Sequence, residues 1–149
     1  MAKIVSINLS REKGTIKTPV DSALLLENFG MENDAHAGKW HRQLSLLAQE
    51  SYDEMKGYTG EELYFGTFAE NITTSGIELH TLPVGTVLKL GECICEVTQI
   101  GKECHHGCEI YKKVGKCVMP LKGIFARILK GGMVRTGDEV EILSVGENI

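Results

Sequence analysis

Glycine sets the size of every element this chain can build. Seventeen glycines against three prolines punctuate 149 residues. That balance predicts many turns between short strands and argues against a bundle of long helices. Apolar residues make up 42% of the chain and charged residues 24%. This is enough apolar side chain for a proper core in one domain, residues 1–149. Strand-like stretches outnumber helical ones, and most are expected to pair in sequence order. The expected fold is mostly β with short helices, a small and partly closed β-barrel that protects strand edges.

Alternation places the elements. Residues 3–9 read as a strand, 10–15 as a turn and 16–18 as a short strand before Pro19. Residues 21–28 read as a short helix that Asp21 or Ser22 can cap. Residues 30–41 are polar, carry two histidines and form a loop. A strand over 42–47 precedes a helix over 48–56, with Ala48, Tyr52 and Met55 at helical spacing and Gly57 or Gly60 to end it. Residues 61–66 are irregular, and a strand follows from Phe68 to Thr73. Turns at Pro83-Val84-Gly85 and Gly91-Glu92 bracket a strand over 86–90. Cys93 to Gln99 alternates again, which puts Cys93, Cys95 and Val97 on one face, with Gln99 in line to extend it; Cys93 and Cys95 read as small buried core residues. Residues 121–130 fit a helix or a strand, stopped by Gly131-Gly132. A last strand runs from Glu139 to Leu143, before a loose tail.

Charge and targeting exclude several classes. The net charge of -4 does not suit a general nucleic-acid binder, and no aromatic–basic pattern is interleaved for one. No apolar run is long enough for a membrane span, and no signal peptide is visible. No phosphate loop, dinucleotide fingerprint or His-Glu-x-x-His motif occurs. A cytoplasmic setting is expected.

The five cysteines, Cys93, Cys95, Cys104, Cys108 and Cys117, are odd in number and confined to the second half. That fits a reducing compartment and a working thiol better than a disulfide framework. The densest chemistry is Lys102-Glu103-Cys104-His105-His106-Gly107-Cys108. A thiolate there is a nucleophile and a sulfur carrier, and the neighbouring Lys102, His105 and His106 can depress its pKa. The plain alternative for Cys104, and more so for Cys108, is a small buried apolar residue. Cys104, Cys108 and Cys117 with His105 or His106 make a legal zinc set at poor spacing. A transient Cys104–Cys108 disulfide is a further reading. No metal site is assigned. A second cluster is Asn33-Asp34-Ala35-His36 with His41-Arg42. Arg42 can clamp a phosphate or carboxylate, and His36 or His41 can move a proton. The plain alternative is a solvated loop in which Arg42 pairs with Asp34. Glu70-Asn71 is the third cluster, and it can be a turn and nothing more.

Three stretches in order also carry a resemblance. They are Asn33-Asp34-Ala35-His36 with Arg42-Gln43-Leu44-Ser45-Leu46-Leu47; Phe68-Ala69-Glu70-Asn71-Ile72-Thr73-Thr74-Ser75-Gly76-Ile77 leading to Leu82-Pro83-Val84-Gly85; and Val97-Thr98-Gln99, the cysteine segment, Gly131-Gly132 and Thr136-Gly137-Asp138-Glu139-Val140. The chain resembles a small stand-alone MOSC domain, the domain found at the C-terminus of molybdenum cofactor sulfurases. The likeness spans nearly the whole chain. It implies a β-rich, barrel-like fold and a cysteine that carries sulfur as a persulfide to a metal–sulfur centre. Larger relatives bind the molybdenum cofactor, and some reduce N-hydroxylated compounds. The family cysteine follows a Pro-Arg-x-Pro pattern. Here the matching segment is Ile100-Gly101-Lys102-Glu103-Cys104, with Lys102 in the arginine position and both prolines absent. Cys104 matches by spacing, and Cys108 competes.

The resemblance thus implies a sulfur carrier with Cys104 or Cys108 as the thiol and Lys102 and His105 or His106 beside it. Arg42, His36, Asn71 and Lys102 would hold molybdenum cofactor (molybdopterin). A cysteine desulfurase would be the donor; a molybdenum or tungsten enzyme, or a cofactor-biosynthesis protein, would be the acceptor. Pyridoxal phosphate is not expected in this domain. The alternative is a protein that binds and transfers molybdopterin without covalent chemistry.

Overall fold

In the computed structural model the described residues are 2–12, 16–55, 65–101 and 122–146. Eleven strands lie among them: β1 (Lys3–Leu9), β2 (Thr18–Val20), β3 (Ser22–Leu26), β4 (Gly30–Met31), β5 (Leu44–Ala48), β6 (Ile72–Ser75), β7 (Val87–Leu90), β8 (Cys93–Ile100), β9 (Ile124–Lys130), β10 (Gly132–Arg135) and β11 (Val140–Ser144). The helical elements among these residues are α1 (Gln49–Met55) and one 3₁₀ turn, Leu79–Thr81. An eight-stranded sheet runs β11-β7-β8-β9-β5-β6-β1-β2, and a three-stranded sheet runs β10-β3-β4.

All pairings are antiparallel except β5 with β6. A parallel pair needs a crossover, and α1 lies in that connection. β5 sits near the middle of the sheet and every residue of Leu44–Ala48 is buried. Burying each of its three leucines favours folding by about 1.5–3 kcal/mol. β8 shows the expected alternation: Cys93, Cys95 and Val97 are buried, and Ile94, Glu96 and Thr98 are partly exposed. At one end, the start of β1 meets the start of β11. Ile4 N–H donates to Asp138 O (2.8 Å), Gly137 N–H to Ile4 O (2.8 Å) and Val140 N–H to Ala2 O (3.0 Å). These bonds are a short bridge, not a continuous ladder, so the architecture is a mixed β-sheet with few short helices.

Several expectations change. Residues 21–28 are not helical: Ser22–Leu26 is a strand with Ala23 and Leu25 buried. Its helix-favouring Ala-Leu-Leu-Leu run is overridden by pairing with β10 and β4. The second strand is Thr18–Val20 and runs through Pro19, opposite Asn8. Proline is tolerated there because β2 is the outermost strand of its sheet. The strand expected from Phe68 begins only at Ile72, and residues 65–68 form turns. The ambiguous 121–130 stretch is a strand over Ile124–Lys130. Pairing in sequence order holds for β1–β2, β3–β4, β5–β6, β7–β8 and β8–β9; β1–β6, β5–β9, β3–β10 and β7–β11 cross the chain.

Gly30 is required where it stands. Its φ is +128°, and a Cβ there would lie 2.5 Å from the carbonyl oxygen of Gln43. This close approach seats β4 against the segment that leads into β5.

Candidate functional site

The loop between β4 and β5 is fastened at its base by a buried ion pair. Lys17 Nζ donates to Asp34 Oδ1 at 2.7 Å and to Ser10 Oγ at 3.2 Å, and lies 3.1 Å from His36 Nδ1. Both ion-pair side chains are fully buried. Asp34 also accepts backbone N–H bonds from Ser10 (3.0 Å) and His36 (3.1 Å). Burial pushes the Asp34 carboxyl upward. The His36 hydrogen bond, the Lys17 charge and hydrogen bond, and the Ser10 N–H outweigh it and hold the carboxyl well below the usual range. The alternative pairing of Arg42 with Asp34 is therefore corrected, because Lys17 holds that carboxylate. His36 stays a quarter exposed at its side chain, behind this pair.

Glu70 and Asn71 are more than a turn, since both are fully buried. Each Glu70 carboxyl oxygen lies within 2.9 Å of the Tyr52 hydroxyl. Thr73 Oγ1 donates to Oε2 at 2.6 Å, and Gly66 N–H at 3.2 Å. Burial pushes the Glu70 carboxyl above its ordinary range, against the pull of these hydrogen bonds. Burial and the neighbouring Glu70 charge push the Tyr52 phenol far up as well. Ala69 just before them holds a left-handed φ of +65°, a costly geometry for a residue with a Cβ. It marks the bend that brings Glu70 inward.

Asn71 Oδ1 accepts from Ser45 N–H (3.0 Å) and Ser45 Oγ (3.2 Å), and its Nδ2 donates to Asn8 O (3.2 Å). That side chain ties β5, β6 and β1 together. Its amide is committed to these bonds inside the core.

A fourth cluster gathers where β8 and β9 leave the sheet. His41 Nε2 lies 2.8 Å from Gln99 Oε1, and Arg42 Nε donates to the same oxygen at 3.1 Å. Gln99 Nε2 donates to Gly101 O at 2.7 Å. Thr98 Oγ1 donates to His41 O. The Arg42 guanidinium lies 5.3 Å from the centre of the Phe125 ring and 5.8 Å from that of Trp40. Gly101 N–H donates to Gly123 O at 2.7 Å, which closes the two stems. The chain between those stems, residues 102–121, bears Cys104, Cys108 and Cys117. Those cysteines, Lys102, His105 and His106 lie outside the described residues, as do the zinc-set and disulfide readings built on them.

The two described cysteines are poor nucleophiles. Burial, with the Glu92 and Asp138 charges, pushes the Cys93 thiol up to about 11. Burial pushes Cys95 up to about 12, with Cys93 adding to it. Both stay protonated at neutral pH, in keeping with their expected place in the core. Among the described residues, no group of three or more His, Cys, Asp or Glu side chains is gathered for a metal. None of their helices is long and apolar enough to cross a membrane.

Sequence reasoning did not single out Lys17, Tyr52 or Gln99. Lys17 stands alone in sequence, and its partners lie across the fold. The apolar spacing of Tyr52 in α1 drew attention to its ring and not to its hydroxyl. Gln99 carried a signal in its place at the end of an alternating strand, just before the cysteine segment.

The candidate site is thus a mixed β-sheet whose neighbouring strands β8 and β9 are joined through residues 102–121, with His41 and Arg42 bonded to Gln99 at the end of β8. Residues 33–141 match the model of the MOSC domain, and the chain belongs to that family. The uncharacterized protein YflK of Bacillus subtilis strain 168 is 29% identical over 148 residues and covers 91% of this chain; the match spans 66% of YflK, just under two thirds. The crystal structure of the Bacillus subtilis YUAD protein superposes with a TM-score of 0.78 at 18% identity, covering 93% of both chains. YiiM from Geobacillus stearothermophilus gives 0.74 at 21% identity over 99% of this chain and 76% of that one. YiiM from Escherichia coli gives 0.73 at 19% identity over 100% and 73%. At these identities the solved structures share the fold alone. Family membership supports a general role in sulfur relay or around the molybdenum cofactor.

Proposed function

We propose that the protein is a sulfur carrier that takes sulfur as a cysteine persulfide and delivers it to a molybdenum or tungsten cofactor. The carrying observation is the attachment of the 102–121 segment to a closed pair of stems, beside Arg42 and His41 and away from the buried thiols of β8. Cys104 follows Gly101 by three residues and Cys108 by seven. Cys104 is thus the first thiol beyond the fastened stem.

The chemistry balances with two thiols. The Cys104 thiolate attacks the terminal sulfur of a cysteine desulfurase persulfide. A new S–S bond forms on Cys104, the donor's S–S bond breaks, and the donor cysteine leaves as a thiolate. Lys102 with His105 or His106 favours the ionised thiol. For delivery, the Cys108 thiolate attacks the inner Cys104 sulfur. The disulfide forms, and hydrosulfide leaves for the acceptor, a molybdenum or tungsten enzyme or a protein that builds its cofactor. A cellular dithiol reductant restores the carrier. Arg42 is suited to an anionic group on the acceptor such as the pterin phosphate, and His36 stands on the same loop. No pyridoxal phosphate takes part in this domain. The compartment is the cytoplasm, where thiols stay reduced.

The second reading is non-covalent binding and transfer of molybdopterin, which the Arg42 site favours equally. Intact mass spectrometry separates the two. Reduced protein is incubated with a cysteine desulfurase and cysteine, with Cys104→Ser and Cys108→Ser in parallel. A gain of about 32 Da in the wild type, lost in Cys104→Ser, is expected. No gain where a known acceptor is loaded would leave the binding reading alone.

A further inference from the structure

The hydrogen bonds around Gln99 fix more than a loop. Arg42 Nε can only donate, so the Gln99 atom facing it is the carbonyl oxygen, and the amide nitrogen faces Gly101 O. The same oxygen meets His41 Nε2 at 2.8 Å, so that nitrogen carries the proton. One neutral carboxamide therefore sets the histidine tautomer, turns the guanidinium and holds the first stem residue of the cysteine segment. Phe125 supports the guanidinium plane from one side. Among the described residues, the terminal amino groups of Arg42 make no hydrogen bond. They form a two-pronged donor held by Nε, and the oriented fork suits a phosphate-class oxyanion.

We infer that Gln99 is a positioning residue: its neutral carboxamide holds Arg42 and His41 as one oriented site for the phosphate-class anion of the acceptor, at the root of the cysteine segment. The inference rests on the carrier reading for the identity of the acceptor, and on geometry for the site. Its neutrality matters as much as its shape. A carboxylate in its place would still accept from Arg42 and His41. It would also occupy the guanidinium's charge and could not donate to Gly101 O.

The test uses the full chain and pyrophosphate as the probe. Binding is followed through the Arg42 Nε–H resonance in wild type, Gln99→Leu and the isosteric Gln99→Glu. Saturable binding is expected in the wild type, weakened at least tenfold in both variants, with thermal midpoints little changed in Gln99→Glu. A role limited to packing would leave Gln99→Glu binding like the wild type, and that result overturns the inference. So does the absence of saturable binding in the wild type, or equal affinity in all three. Should Gln99→Leu fail to fold, Gln99→Glu carries the test alone. Persulfide loading by mass is measured beside it. Loading that persists in Gln99→Glu while anion binding falls supports both readings. Absent wild-type loading with intact anion binding sinks the carrier reading and leaves the positioning role standing.

Discussion

Replacing Lys17 with methionine keeps most of the side-chain volume and removes the cation that neutralises Asp34. The carboxylate would keep its Ser10 and His36 N–H donors but lose the ammonium at 2.7 Å. Removing one partner of a buried pair costs about 3–5 kcal/mol, because an uncompensated charge stays inside. The cost should depend on acidity with a definite sign. The folded Asp34 carboxyl is depressed below its ordinary 3.8, so its contribution is complete above that value and fades as pH falls through the folded value. Urea denaturation of wild type, Lys17→Met, Asp34→Asn and the double variant should therefore show a large gap at pH 8 that narrows at pH 3. His36, the other titratable group at the pair, remains in all four proteins. The double variant should be less unstable than the two single losses added together, with a coupling of about 2–4 kcal/mol. A coupling below about 0.5 kcal/mol, or a gap that widens in acid, would refute the assignment of this pair as the anchor of the 32–43 loop.

Tyr52→Phe removes one donor to a buried carboxyl and should cost about 1–3 kcal/mol, read as a lower urea midpoint at an unchanged slope. Gly30→Ala should destabilise the protein more than an alanine at an exposed turn glycine such as Gly137, because its Cβ meets Gln43 O at 2.5 Å while nothing lies within 4 Å at Gly137. Thermal melts of the two variants make that comparison. Cys93→Ala with Cys95→Ala should lose about 1 kcal/mol per site through packing. That double variant should still gain about 32 Da in the desulfurase assay, since neither thiol ionises near neutral pH.

The strands that were legible are those whose sequence alternates and whose partner is close in the chain. Lys3–Leu9, Val87–Leu90 and Cys93–Ile100 belong to this group; the buried faces of the last two follow the period of two, while a register shift between Ile4 and Ser6 leaves Ser6, Ile7 and Asn8 all buried in the first. Ser22–Leu26 was not legible, because Ala-Leu-Leu-Leu satisfies a helix locally and its strand state depends on β10, far downstream. The site divides in the same way. Arg42 and His36 stood out through their local motif. Asp34 was legible as an acid in need of a cation, but the choice of Lys17 over Arg42 was made by the fold. Glu70 and Asn71 looked like turn residues because nothing nearby in sequence shows that Tyr52, Ser45 and Asn8 converge on them.

That convergence also separates structural polarity from usable polarity. Glu70, Asn71, Asp34 and Lys17 are buried with hydrogen bonds that satisfy them, and a ligand reaching any of these groups would have to break one. Breaking such a bond leaves a desolvated group behind and costs more than the new contact returns. Arg42 differs because, among the described residues, it is half-buried and its one side-chain hydrogen bond runs through Nε, with no bond on the two terminal amino groups. A guanidinium anchored at Nε and seated on Phe125 has already lost much of its rotamer freedom, so an anion that binds it does so at a smaller entropic loss. The interior networks hold the 32–43 loop and the central β5–β6 pair in place, and His41 and Arg42 reach the stem of the cysteine segment from that fixed base. Loosening the base at Lys17 should therefore weaken anion binding at Arg42 even though no bond links the two residues directly. Pyrophosphate titration of Lys17→Met at a temperature where it remains folded would expose that dependence, and unchanged affinity would show that the loop holds its shape without the ion pair.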